Sequence, residues 1–60
     1  MDSRIKILLV EDEFITALHV KKQLEKIGYE VTDNVTTGEN AIVSAKQNPP
    51  DIILIDVRLA

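Results

Sequence analysis

Sixty residues with a formal net charge of −3 and no cysteine can build at most one small domain, without disulfides or a thiolate metal site to support it. The lone His19 rules out a histidine-rich zinc site, and an acidic chain with few basic residues argues against a nucleic-acid surface. No apolar run approaches the roughly 18 residues that span a bilayer, and Met1-Asp2-Ser3-Arg4 lacks the charged start and apolar core of a signal peptide, so a cytoplasmic protein is the default expectation.

In chain order, the first predicted element is a strand from about Arg4 to Val10, ended by the acidic triplet Glu11-Asp12-Glu13. Ile7-Leu8-Leu9-Val10 is four apolar residues in a row, the pattern of a strand buried on both faces in a parallel sheet. From Glu13 to about Ile27 the spacing turns helical: Ala17, Val20, Leu24 and Ile27 make one apolar stripe, flanked by Phe14 and Leu18. Lys21, Lys22, Glu25 and Lys26 fall off that stripe, and His19 is expected at its boundary or in solvent. Gly28 supplies a left-handed C-terminal cap.

Residues 29–35 alternate only loosely and read as a half-buried strand suited to an edge. Thr36-Thr37-Gly38 is a turn in which either threonine can cap the next helix, and Thr36 with Glu39 has the spacing of a capping box. Ala41, Ile42 and Ala45 are the expected buried face of a short helix ending near Gln47, stopped by Asn48-Pro49-Pro50. Asp51 to Asp56 is the third strand, again with four apolar residues, Ile52-Ile53-Leu54-Ile55.

The order βαβαβ, with right-handed crossovers, predicts a doubly wound parallel α/β sheet. The two most apolar strands belong next to each other and the polar second strand outside, in spatial order 2-1-3. The topological switch point then falls between strands one and three, where open α/β sheets place their ligands. Glu11-Asp12 and Asp56, 44 residues apart from Asp12 to Asp56, both point at it. Carboxylates gathered at one site favour a hard cation, Mg²⁺ being the usual one. A dinucleotide site would need a glycine-rich turn after the first strand, and Glu-Asp-Glu there repels phosphate.

Four segments in register carry a resemblance: Ile7-Leu8-Leu9-Val10-Glu11-Asp12-Glu13, Leu24-Glu25-Lys26-Ile27-Gly28-Tyr29-Glu30-Val31, Thr37-Gly38-Glu39-Asn40-Ala41-Ile42 and Pro50-Asp51-Ile52-Ile53-Leu54-Ile55-Asp56. The chain resembles the receiver domains of two-component response regulators, a flavodoxin-like fold. The resemblance implies that Asp56 accepts a phosphoryl group from a sensor histidine kinase. It implies Mg²⁺ held by Glu11, Asp12, Asp56 and the backbone carbonyl of Arg58. It implies a signalling switch whose only catalysis is its own phosphorylation and dephosphorylation.

Two departures from the family's pattern stand out. Glu11 occupies a place where aspartate is commoner, which is expected to alter metal affinity rather than abolish it. Ala60 stands where many members have proline, so the following loop is expected to differ. The resemblance also implies that residues 1–60 are the N-terminal half of a receiver domain, truncated after the third strand and without the family's Ser/Thr and Lys phosphoryl contacts. A third strand with one neighbour leaves an apolar edge, so a homodimer or other self-association is expected. The alternative function is a non-phosphorylatable fragment that acts only as a structural or dimerising module.

Overall fold

The computed structural model describes residues 3–56. Five elements follow in order: β1 (Lys6–Val10), α1 (Phe14–Ile27), β2 (Glu30–Val35), α2 (Gly38–Gln47) and β3 (Ile52–Ile55). The three strands form one parallel sheet in the order β2-β1-β3. The predicted βαβαβ architecture and strand order are therefore the observed ones.

β1 is the centre of the molecule. Ile7 to Val10 are all buried, and Leu8 is fully so. On one face Leu8 and Val10 pack with Val35 and Ala41, and Ala45 closes that cluster from α2. Ala17 of α1 is fully buried, with Val20 and Leu24 half-buried one and two turns on. Each β1 neighbour arrives after a helical crossover, as parallel pairing requires.

β2 is irregular for a physical reason. Strict alternation would put Val31, Asp33 and Val35 on the same face. Instead the register with β1 slips between Ile7 and Leu8, so that Ile7 opposes Val31 while Leu8 opposes Asp33. Thr32 is the extra residue of this bulge, and its hydroxyl donates to the Ile7 carbonyl oxygen at 3.4 Å. The slip brings Val35 level with Val10 in the α2-side core. It also brings Asp33 within reach of α2, where Ser44 Oγ donates to its Oδ2 at 3.0 Å.

The helix ends follow their local chemistry. Gly28 takes φ 113°, a left-handed conformation that a side chain would strain, and its N–H donates to the Glu25 carbonyl at 3.1 Å. At the start of α2 the cap is Thr37, whose side chain accepts from the Asn40 N–H at 3.1 Å. The expected Thr36–Glu39 capping box is thus replaced by the neighbouring threonine, because α2 already begins at Gly38. Asn48 closes the helix with its N–H on the Ser44 carbonyl, ahead of the two prolines.

Three burial expectations are corrected. Ile42 is 59% exposed and Ser44 takes its place on the inner face, together with Ala41. Ile27, at the last turn of α1, is exposed, as are Phe14 and Leu18. Ile52 to Ile55 are not buried on both faces: they are 41–57% exposed, since β3 pairs only with β1 among the described residues. His19 is exposed, as expected. No helix among the described residues is long and apolar enough to cross a membrane.

Candidate functional site

The C-terminal ends of all three strands are tied together by backbone hydrogen bonds. The Glu11 N–H donates to the Val35 carbonyl at 2.9 Å, joining the end of β1 to the end of β2. The Asp56 N–H donates to the Val10 carbonyl at 3.1 Å, joining the end of β3 to the end of β1. Two acidic residues distant in sequence are therefore fixed through their main chains on either side of Val10. Strand order alone dictates this: Glu11 follows the central strand, and Asp56 follows its neighbour.

Val10, Glu11, Asp12, Thr36 and Asp56 line one open cavity of about 280 Å³ at that edge. Glu11 is 3% exposed, whereas Asp12 and Asp56 face solvent. One oxygen of Glu11, Oε1, accepts from the Glu13 N–H at 2.9 Å. Glu13 is the N-cap residue of α1; the Thr16 hydroxyl donates to its Oε2 at 3.1 Å, and its carbonyl accepts from the Ala17 N–H at 2.9 Å. The triplet is thus divided among three tasks: Glu11 turned inward, Asp12 in the cavity, and Glu13 at the helix start.

The carboxylates perturb one another. Glu11 holds its proton above the ordinary value of 4.5, first because of a hydrogen bond with the Asp56 side chain. Desolvation, a hydrogen bond with Asp12 and the charge of Asp56 push the same way, while the Glu13 amide pulls it down. Carboxyl groups held this close disfavour full ionisation of the group. Among the described residues no three His, Cys, Asp or Glu side chains stand ready to close on a metal ion. The donor chemistry nevertheless suits a hard divalent cation, since every polar side chain in the cavity offers oxygen. Glu11 has one oxygen committed to the Glu13 amide.

The structure therefore brings Glu11, Asp12 and Asp56 to one cavity, as the spacing of the apolar runs implied. Arg58, expected to contribute a backbone carbonyl, lies outside the described residues, as does Ala60. Thr36 was read only as a possible helix cap, yet it lines the acidic cavity. The signal was available: Thr36 directly follows β2, so a sheet of order 2-1-3 sets it at the same edge as the acids.

An open parallel α/β sheet with polar residues gathered at its topological switch point defines a class of doubly wound modules that place their ligands at that edge. The comparisons with known proteins narrow that class. Residues 7–60 match the response regulator receiver domain family, and the chain belongs to it. It is similar to the chemotaxis protein CheY of Thermotoga maritima, with 32% identity over 54 residues, covering 90% of this chain and 45% of that protein. It is also similar to the transcriptional regulatory protein PdtaR of Mycobacterium tuberculosis, 28% identical over 54 residues, or 90% of this chain and 26% of the relative. A probable histidine kinase 1 of Oryza sativa subsp. indica is 39% identical over 57 residues, 95% of this chain but 6% of its own length. The chain thus spans less than half the length of each of these relatives. No solved structure matches it significantly.

Proposed function

We propose that this chain is a phosphoacceptor receiver module in which Asp56 takes a phosphoryl group from a sensor histidine kinase, with Mg²⁺ held by Glu11, Asp12 and Asp56 and by the carbonyl of Arg58. The observation that carries the reading is the shared cavity of Glu11, Asp12 and Asp56 at the end of β1 and β3. Membership of the receiver family supports it, as does the likeness to a chemotaxis protein, a transcriptional regulator and a histidine kinase.

In the transfer, an Asp56 carboxylate oxygen bonds to phosphorus as the phosphorus–nitrogen bond of a kinase phosphohistidine breaks. The bonding pair returns to the imidazole nitrogen, so charge is conserved over the two partners. Asp56 is exposed and lines the cavity, so a donor can reach it from solvent. Its backbone is pinned to Val10, which limits the positions its carboxylate samples. Glu11 and Asp12 supply the anionic oxygens for the cation. When bound, Mg²⁺ supplies the charge neutralisation that phosphoryl transfer to a carboxylate requires.

A cytoplasmic location follows from this reading, because the phosphodonor is made there. So does the description of residues 1–60 as the N-terminal half of a receiver, which the 45% coverage of the chemotaxis relative supports. The test is intact mass after incubation with Mg²⁺ and acetyl phosphate, for this chain and for a polypeptide continuing to full receiver length. A gain of one phosphoryl group that disappears in Asp56→Ala is expected. Normal labelling of the Asp56→Ala protein would overturn the assignment. Labelling of the longer polypeptide alone would mark this chain as an incomplete half.

A further inference from the structure

The acidic cavity poses an electrostatic problem that its carboxylates cannot solve. Phosphoryl oxygens only accept hydrogen bonds, and ionised Glu11, Asp12 and Asp56 are acceptors too. Of the five lining residues, Val10 is apolar, and Thr36 is the one whose neutral side chain donates.

Thr36 is also held in place without using its own side chain. On one side, the Val35 carbonyl accepts the Glu11 N–H at 2.9 Å, which fastens the end of β2 to the end of β1. On the other, Thr37 caps α2, its side chain accepting from Asn40 and its carbonyl accepting from the Ala41 N–H at 3.0 Å. Thr36 is the single residue between these two anchors. Its hydroxyl makes no side-chain hydrogen bond among the described residues, and its β-branched side chain has few rotamers to lose on binding.

We infer that Thr36 is a phosphoryl-contacting residue: its Oγ1 donates a hydrogen bond to an oxygen of the phosphoryl group carried by Asp56. The assignment depends on the receiver reading of Asp56, and it adds a hydroxyl donor from the β2–α2 junction to a cavity whose other described polar side chains are carboxyl groups. A threonine in this place discriminates between ligands: it favours a group with outward-facing oxygens and offers nothing to a bare cation.

Three proteins test it: the wild-type chain, Thr36→Val, which keeps the β-branched shape without the donor, and Thr36→Ser, which keeps the donor. Each is labelled with acetyl phosphate and Mg²⁺ and followed by intact mass, in the shortest polypeptide that labels at Asp56. Thr36→Val is expected to label about tenfold more slowly, less than a fully enclosed donor loses because this cavity is open to water. Thr36→Ser should label near the wild-type rate, and Mg²⁺ affinity should be the same in all three.

Wild-type labelling that Thr36→Val matches in rate overturns the assignment to Thr36 alone. Slow labelling by both variants, or a parallel fall in Mg²⁺ affinity, overturns it in favour of a structural role. Absence of labelling in every wild-type polypeptide overturns the receiver reading itself, and this assignment with it. A second readout stands apart from rate and from the folding of any variant. The Thr36 methyl resonance of the wild-type protein should shift when beryllofluoride is added to the Mg²⁺-loaded form, and an unmoved resonance overturns the contact.

Discussion

β1 and β3 have nearly interchangeable sequences, Ile7-Leu8-Leu9-Val10 and Ile52-Ile53-Leu54-Ile55, yet one is the core and the other is an exposed flank. They pair residue for residue, Ile7 with Ile52 through Val10 with Ile55. The first run is buried throughout; the second is open along its whole length. The difference lies in neighbours. β1 has a strand on each side, Ala17 over one face and Ala41 over the other, while β3 has a strand on one side only among the described residues. Apolar content states what a strand can bury, and sheet position decides what it does bury.

The sharpest way to break this comparison is to shave the same layer in both strands. Leu8 and Ile53 are register partners. Leu8→Ala should cost about 2–5 kcal/mol, most of the stability a domain this small can have, and leave the chain largely unfolded by circular dichroism. Ile53→Ala should cost about 1 kcal/mol or less, read as the shift of a urea midpoint. Equal losses would mean that β3 is as well covered as β1.

A smaller effect is expected at the helix that covers β1. Thr37→Ala removes the cap of α2 and should cost about 1 kcal/mol. The loss should appear in the same urea titration. If Thr36→Ala proved the more destabilising of the two, the cap would belong to Thr36 after all.

The smallest effect compares the acids that end the two strands. Glu11 is buried behind β1 and holds its proton more tightly than the ordinary 4.5, while Asp56 at the end of β3 faces solvent. A raised folded value means that the folded chain binds the extra proton. Glu11's contribution to stability is therefore fully present below pH 4.5 and is lost as pH rises through the raised folded value. Glu11→Gln, which keeps an oxygen for the Glu13 amide, should flatten that fall in urea midpoints measured without divalent cations. An unchanged pH profile in Glu11→Gln would place the titration elsewhere.

Much of this arrangement was legible from residue order alone. Two apolar runs, each closed by an acid and separated by two helical spacings, imply the strand order and hence the meeting of Glu11, Asp12 and Asp56. Gly28 announced its left-handed turn. What escaped depends on tertiary geometry. The bulge at Thr32 has no local signature, because a polar residue in a loosely alternating strand fits either register. Ser44 is buried where Ile42 was expected to be, and it finds a hydrogen-bond partner in Asp33, which that bulge swings into reach. The two threonines ahead of α2 are equally good caps by composition. Only the start of the helix at Gly38 assigns the task to Thr37 and leaves Thr36 to the cavity.

The central place of β1 bears on how the chain is made. Ile7 waits for Val31 on one side and for Ile52, 45 positions further on, on the other. At about 5–20 residues per second, the ribosome takes a few seconds to deliver that last partner. Throughout this interval the central strand is already synthesised while its sheet is incomplete, and no hairpin shelters it because every pairing among the described residues is parallel. Folding must therefore wait for late, long-range contacts, a topology associated with slow collapse to the native state. The segment most protected in the finished molecule is the one longest exposed during its birth.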